Sequence, residues 1–154
     1  MESGLLGWIG IGASFGLSAL GSTIGMVLNG PAVIGAWKKC YLQNKPAPFI
    51  LLVFAATCLS NVIYGFIVMN ALVGTGSTAA IAANVVLNSQ KFFVLGLSAG
   101  LCIGGVAITQ AVCSAVAAEA YAETGKGFGN FLMVVGIAET ISLFAMVFTL
   151  LLAG

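Results

Sequence analysis

Residues Gly136–Leu152 read GIAETISLFAMVFTLLL, an apolar run interrupted near its start by one carboxylate, Glu139. A carboxylate at the centre of a bilayer costs about 2.5–3.5 kcal/mol on insertion scales, so an acid inside such a run marks a functional site by default. The rest of the chain has to supply whatever satisfies it.

The chain has 154 residues, 60% of them hydrophobic and 6% charged, with mean hydropathy +1.15 and no His, Asp or Arg. Soluble domains carry roughly a quarter charged residues, so this composition indicates an integral membrane protein. A net charge of +1 gives no electrostatic basis for binding nucleic acid. Without His or Asp no nucleophile and general-base pair is visible, which argues against a hydrolytic site. The cluster Gly10-Ile-Gly12-Ala-Ser-Phe-Gly16 is not a nucleotide loop, because Phe15 stands where GxGxxG needs glycine and no strand precedes it. Cys40, Cys58, Cys102 and Cys113 lack CxxC spacing and read as small apolar residues. Met1–Gly30 has Glu2 instead of a basic start and too long an apolar run for a signal peptide, so it is expected to be a retained helix.

Four segments, approximately 5–36, 48–73, 92–118 and 128–153, reach the length of about 20 apolar residues that a membrane helix needs. Long unbroken runs favour helices over barrel strands, which would be short and alternating. The expected fold is therefore all-α with four transmembrane helices. Connectors 37–47 and 119–127 hold Lys38, Lys39, Lys45 and Lys126, whereas the connector between the second and third helices has only Lys91. That asymmetry predicts connectors 37–47 and 119–127 in the cytoplasm and both termini on the opposite side.

The helices alternate in kind. The first carries Gly12, Gly16, Gly21 and Gly25 and the third Gly96, Gly100 and Gly104, at spacings of four that allow close backbone approach. The second and fourth carry bulk, including Phe49, Phe54, Tyr64, Phe66, Phe131, Phe144 and Phe148. The pattern predicts an internal duplication into two helical hairpins, 1–77 and 78–154. Residue-level echoes agree: Gly12-Ala-Ser-Phe-Gly16-Leu parallels Gly96-Leu-Ser-Ala-Gly100-Leu, and Ile63-Tyr64-Gly65-Phe66 parallels Leu143-Phe144-Ala145-Met146. Glu139 then falls opposite Leu59, so only the second copy has the acid.

The larger polar side chains singled out inside the spans, besides Glu139, are Gln110, Asn61 and Tyr64. At 1.5 Å per residue, Gln110 and Glu139 lie about 15–16 Å, and Asn61 about 20 Å, from the connector end, so they can meet on antiparallel neighbours. Thr57, Ser60, Asn61 and Tyr64 follow i, i+3, i+4, i+7 spacing and share one helix face. A carboxylate, two amide oxygens and a hydroxyl form a hard-oxygen set suited to a hard cation, with Tyr64 able to latch the carboxylate by a hydrogen bond. The alternative is that these groups pair only to glue helices together. Glu119 and Glu123, spaced i and i+4, read as a solvated helix end or, with Lys126, as a docking surface.

Together these features resemble the duplicated four-helix proteolipid that builds the rotor ring, the c or K ring, of rotary V-type ATPases, over essentially the whole chain. The resemblance rests on the two-hairpin duplication, the glycine-rich first and third helices, Glu139 in the local sequence Ala-Glu-Thr, and the Tyr64-Gly65 pair. It implies a homo-oligomeric ring in lipid, a stator subunit (a or I) providing an essential arginine, a central-stalk subunit at the cytoplasmic loops, and ATP hydrolysis on partner subunits. The glycine-rich helices would line the inside of the ring. Sodium-binding members surround Na+ with a helix-four Glu, a helix-three Gln, and a hydroxyl followed by an amide on helix two, which match Glu139, Gln110, Ser60 and Asn61. A helix-two Tyr that bonds the Glu matches Tyr64. Those members also use a backbone carbonyl at a Pro-Gly break, a role that would fall to Thr57, but Cys58 and Leu59 follow it here. In an unbroken helix the Thr57 carbonyl is already bonded to the Asn61 N–H, and Asn61 is shorter than the family's Gln, so a proton-only site is the alternative. Outside this family, a small multidrug or cation antiporter also has four helices and one embedded Glu, though it keeps that Glu in its first helix.

Overall fold

The computed structural model describes residues 2–76 and 85–154, all helical or connecting, with no strand among them. Helix α1 spans Glu2–Leu42, α2 Leu51–Ala56, α3 Leu59–Gly76, α4 Val85–Thr124 and α5 Phe128–Ala153. Because α2 and α3 together form one apolar span, Leu51–Thr75, there are four spans long and apolar enough to cross a membrane. The protein is an integral, multi-pass, all-α membrane protein. The boundary expected near residues 77–78 lies outside the described residues, as does much of the second connector.

Several expected helix ends move. The first helix continues past residue 36 because Trp37-Lys38-Lys39-Cys40-Tyr41-Leu42 contains no breaker, and it ends only where Asn44 takes φ 54° ahead of Pro46. The non-helical connector is therefore 43–50, not 37–47, and Lys38 and Lys39 ride on the last turns of α1. Likewise the third helix runs through Glu119 and Glu123 to Thr124, since Ala and Glu are strong helix formers. It stops where Gly125 (φ 64°) and Gly127 (φ 85°) take left-handed conformations that most side chains resist. At 1.5 Å per residue α1 and α4 are each about 60 Å long, twice the hydrocarbon thickness, so their connector ends project beyond it.

Contacts fix the arrangement. α1 and α4 run parallel and make the most extensive contact, from Gly7 beside Ser89 to an ion pair between Lys39 and Glu123. The approach is backbone to backbone. A Cβ added at Gly96 would lie 2.0 Å from the Gly10 carbonyl oxygen, and one at Gly21 2.2 Å from that of Gly104. Gly25 and Gly100 also stand in this contact, whereas Gly12 and Gly16 have no neighbouring atom within 4 Å and face away from it. The second span packs antiparallel to α1, with Trp37 Nε1 donating to the Pro48 carbonyl (2.9 Å) at one end and Ile11 clustering with Leu72 at the other. It also touches α4 and α5.

Two apolar clusters divide the bundle along its length. One gathers Ile11, Val68, Leu72, Phe92, Ala99, Ile103 and Ala153 near the terminal end. The other gathers Val33, Ala36, Leu51, Phe54, Ala55, Ala117 and Ala118 near the connectors. Between them lies a buried polar layer containing Ser22, Asn29, Asn61, Gln110, Ser114 and Ser142. The outward faces are apolar, with Ile137, Ile141, Phe144, Phe148, Leu151 and Leu152 of α5 exposed, as expected for helices bathed in lipid.

Candidate functional site

The polar layer holds Glu139. Its carboxylate, half-buried on α5, accepts a 2.7 Å hydrogen bond at Oε1 from the Tyr64 phenol of α3. This is its one side-chain hydrogen bond among the described residues. Beside it, the fully buried Asn61 donates from Nδ2 to Gln110 Oε1 on α4 at 2.7 Å. Asn61 Oδ1 in turn accepts from Ser142 Oγ on α5 at 2.5 Å. Ser142 follows Glu139 by three residues and Tyr64 follows Asn61 by three, so each pair shares a helix face and the two faces meet. Gln110 Nε2 is buried with no hydrogen-bond partner.

The second span departs from expectation just before these residues. It is not an unbroken helix: α2 ends at Ala56, α3 begins at Leu59, and the interruption falls at Thr57 and Cys58. Carbonyls left at such a break must find donors, since no water is available at membrane depth. Asn29 of α1 donates from Nδ2 to the Phe54 and Ala55 carbonyls at 3.0 and 3.2 Å. Ser22 Oγ donates to the Cys58 carbonyl at 2.9 Å. Thr57 Oγ1 donates to the Phe54 carbonyl at 2.9 Å and lies 2.7 Å from Ser114 Oγ of α4, while Ser60 Oγ donates to the Thr57 carbonyl at 3.1 Å. The break thus occurs without the Pro-Gly sequence, because neighbouring helices satisfy its backbone from outside.

The expected site residues are accordingly brought together in two linked groups. Tyr64 and Glu139 form one, and Asn61 and Gln110 the other. Ser60, one turn before Tyr64 and adjacent to its phenol, stands between them and Thr57. Gln110, Ser60, Asn61 and Thr57 make no direct hydrogen bond to Glu139. No cluster of three or more His, Cys, Asp or Glu capable of holding a metal exists among the described residues, so any cation here relies on one carboxylate and neutral oxygens. Leu59, the counterpart of Glu139, is 56% exposed, which leaves the first hairpin no acid at this depth.

Four polar residues of this layer, Ser142, Ser114, Asn29 and Ser22, do not stand out in the sequence. A signal for two of them exists. Ser18, Ser22, Gly25 and Asn29 follow i, i+4, i+7, i+11 spacing, and all four are buried on one stripe of α1.

A comparison with curated proteins gave no match. The antiporter alternative gains no support from the family comparison, which points elsewhere. Residues 93–152, covering nearly all of α4 and α5 and containing both Gln110 and Glu139, match the family described as the ATP synthase C subunit, the non-catalytic membrane proteolipid of rotary ATP synthases and ATPases.

Proposed function

We propose that this chain is a rotor-ring subunit of a V-type rotary ATPase, in which many copies form a ring and each Glu139 carries one monovalent cation across the membrane per turn. The observation that carries this reading is the Glu139 carboxylate bonded by Tyr64 beside the buried Asn61–Gln110 pair, in the hairpin that matches the ATP synthase proteolipid family. Loading neutralises the carboxylate, so the closed site rotates past lipid without an exposed charge. Tyr64 acts as the latch, and opening takes place beside an arginine of a stator subunit. Gly12 and Gly16, which meet nothing within the chain, are available for contacts between copies around the ring, while Gly21, Gly25, Gly96, Gly100 and Gly104 bring α1 and α4 together within each copy. The connector ends of α1 and α4, with Lys38, Lys39, Glu119 and Glu123, face the cytoplasm and meet a central-stalk subunit. ATP hydrolysis belongs to partner subunits. Because Leu59 replaces the acid in the first hairpin, each chain offers one site.

Two cations fit. The oxygen atoms of Glu139, Gln110, Asn61 and Ser60, with the Thr57 carbonyl, favour Na+ as cargo. The proton is favoured by the fact that Gln110 Oε1 and Asn61 Oδ1 each already accept a hydrogen bond, leaving one lone pair apiece. Carbodiimide labelling of Glu139 in detergent, with and without sodium, separates them. Protection by sodium at mildly alkaline pH supports Na+, and labelling insensitive to sodium supports the proton. Glu139→Gln should abolish coupled transport while rings still assemble, and transport that survives this change would disprove the proposal.

A further inference from the structure

Ser142 behaves unlike most of the hydroxyls around it. Within helices a Ser or Thr hydroxyl usually donates to a carbonyl one turn back. Ser14, Ser18, Thr140 and Thr149 all do so, to Ile11, Ser14, Ile137 and Ala145. Ser142 instead donates across the helix interface to Asn61 Oδ1. That choice has consequences further along. With its oxygen taken, Asn61 turns its NH2 to Gln110, and Gln110 must answer with its carbonyl. The Gln110 NH2 is then left over, buried and without a partner. A leftover buried donor is costly unless something it can bond arrives.

We propose that Ser142 is a positioning residue that sets which end of the Gln110 amide is left free in the ion site, and so weights the site toward a proton over Na+. An NH2 group complements a carboxylate and repels a metal cation, whereas an amide oxygen ligates one. Without the Ser142 donor, Asn61 is free to invert, its oxygen accepts from the Gln110 NH2, and the buried orphan is satisfied. The Gln110 oxygen is then the free end. The same two amides therefore have two arrangements, and one hydroxyl on α5 selects between them. This inference rests on reading Glu139 as the cation carrier, but the orientation of the two amides can be measured separately.

The chain contains three glutamines, Gln43, Gln90 and Gln110, so the side-chain NH2 signals of the full chain labelled with 15N-glutamine are assignable by comparison with Gln110→Ala. Ser142→Ala should move the Gln110 NH2 signal from a free to a hydrogen-bonded position. It should also lower the sodium concentration that half-protects Glu139 from carbodiimide by about fivefold, the equivalent of one ordinary hydrogen bond. Ser142→Thr, which keeps the hydroxyl, should retain the parent signal and the parent sodium response. Coincident Gln110 signals in the parent and Ser142→Ala would overturn the proposal, as would Ser142→Thr behaving like Ser142→Ala. A Gln110 signal that moves while sodium protects neither protein supports the role of Ser142 and removes only the sodium reading of the site.

Discussion

Replacing Gly96 with Ala tests the close contact that sets the distance between α1 and α4. The new Cβ would sit 2.0 Å from the Gly10 carbonyl oxygen and 2.4 Å from its carbon, both backbone atoms that cannot rotate away. An ordinary carbon–oxygen contact is about 3.3 Å, so the helices must part locally by about 1.3 Å. Overpacking of this kind costs about 1–3 kcal/mol, and rigid backbone on both sides argues for the upper end. A radial gap of about 0.5–1 Å already forfeits a quarter to a half of the dispersion energy of the atoms involved, and it would extend to the neighbouring contact of Gly100 with Ala13 and Leu17. Alanine returns about 0.5–1 kcal/mol through its better helix propensity. The net expectation for Gly96→Ala is a loss of about 2 kcal/mol. Gly12→Ala, with nothing within 4 Å of the added Cβ, should instead leave the isolated chain unharmed or stabilise it by up to about 1 kcal/mol. Unfolding of the single chain in mixed detergent–SDS micelles, followed by circular dichroism, measures both. Equal midpoints for the two variants would refute the argument that α1 and α4 meet through Gly96 and not through Gly12.

Tyr64→Phe removes the phenol that bonds Glu139 and should speed carbodiimide labelling of Glu139 by about fivefold, a figure that follows from one hydrogen bond; an unchanged rate would mean Tyr64 is no latch. Asn29→Ala strips donors from the Phe54 and Ala55 carbonyls beside the break in the second span, and each unsatisfied carbonyl costs about 1–3 kcal/mol, so unfolding in SDS should move to markedly lower SDS fraction. Asn29→Asp, which accepts but does not donate, should be at least as harmful. Lys39→Ala breaks an exposed ion pair with Glu123 and should leave the unfolding midpoint unchanged, because such pairs are screened by solvent and salt.

The sequence by itself determined the broad architecture. Four long apolar runs with almost no charge admit only spanning helices, since every backbone group in a bilayer must be bonded within its own segment or a closed sheet. The glycine and bulk alternation marked out the helices that approach closely, and the cost of one embedded carboxylate singled out Glu139. The same reasoning brought Gln110, Asn61 and Tyr64 to its depth, because rise per residue is a fixed length and needs no tertiary information. Only the tertiary structure decided how these groups pair. Helix continuity is a local preference, so Thr57 and Cys58 read as helical; donors on α1, distant in sequence, let the backbone break there instead. Which glycines face α4 and which face away depends on the azimuth of α1, and spacings of four are shared by Gly12 with Gly16 and by Gly21 with Gly25 alike. Ser142 looks like any small residue of a membrane helix until α3 is laid against α5. Its hydroxyl then faces the one buried amide whose orientation governs Gln110, and the costly charge at Glu139 is seen to sit in a layer assembled from four spans.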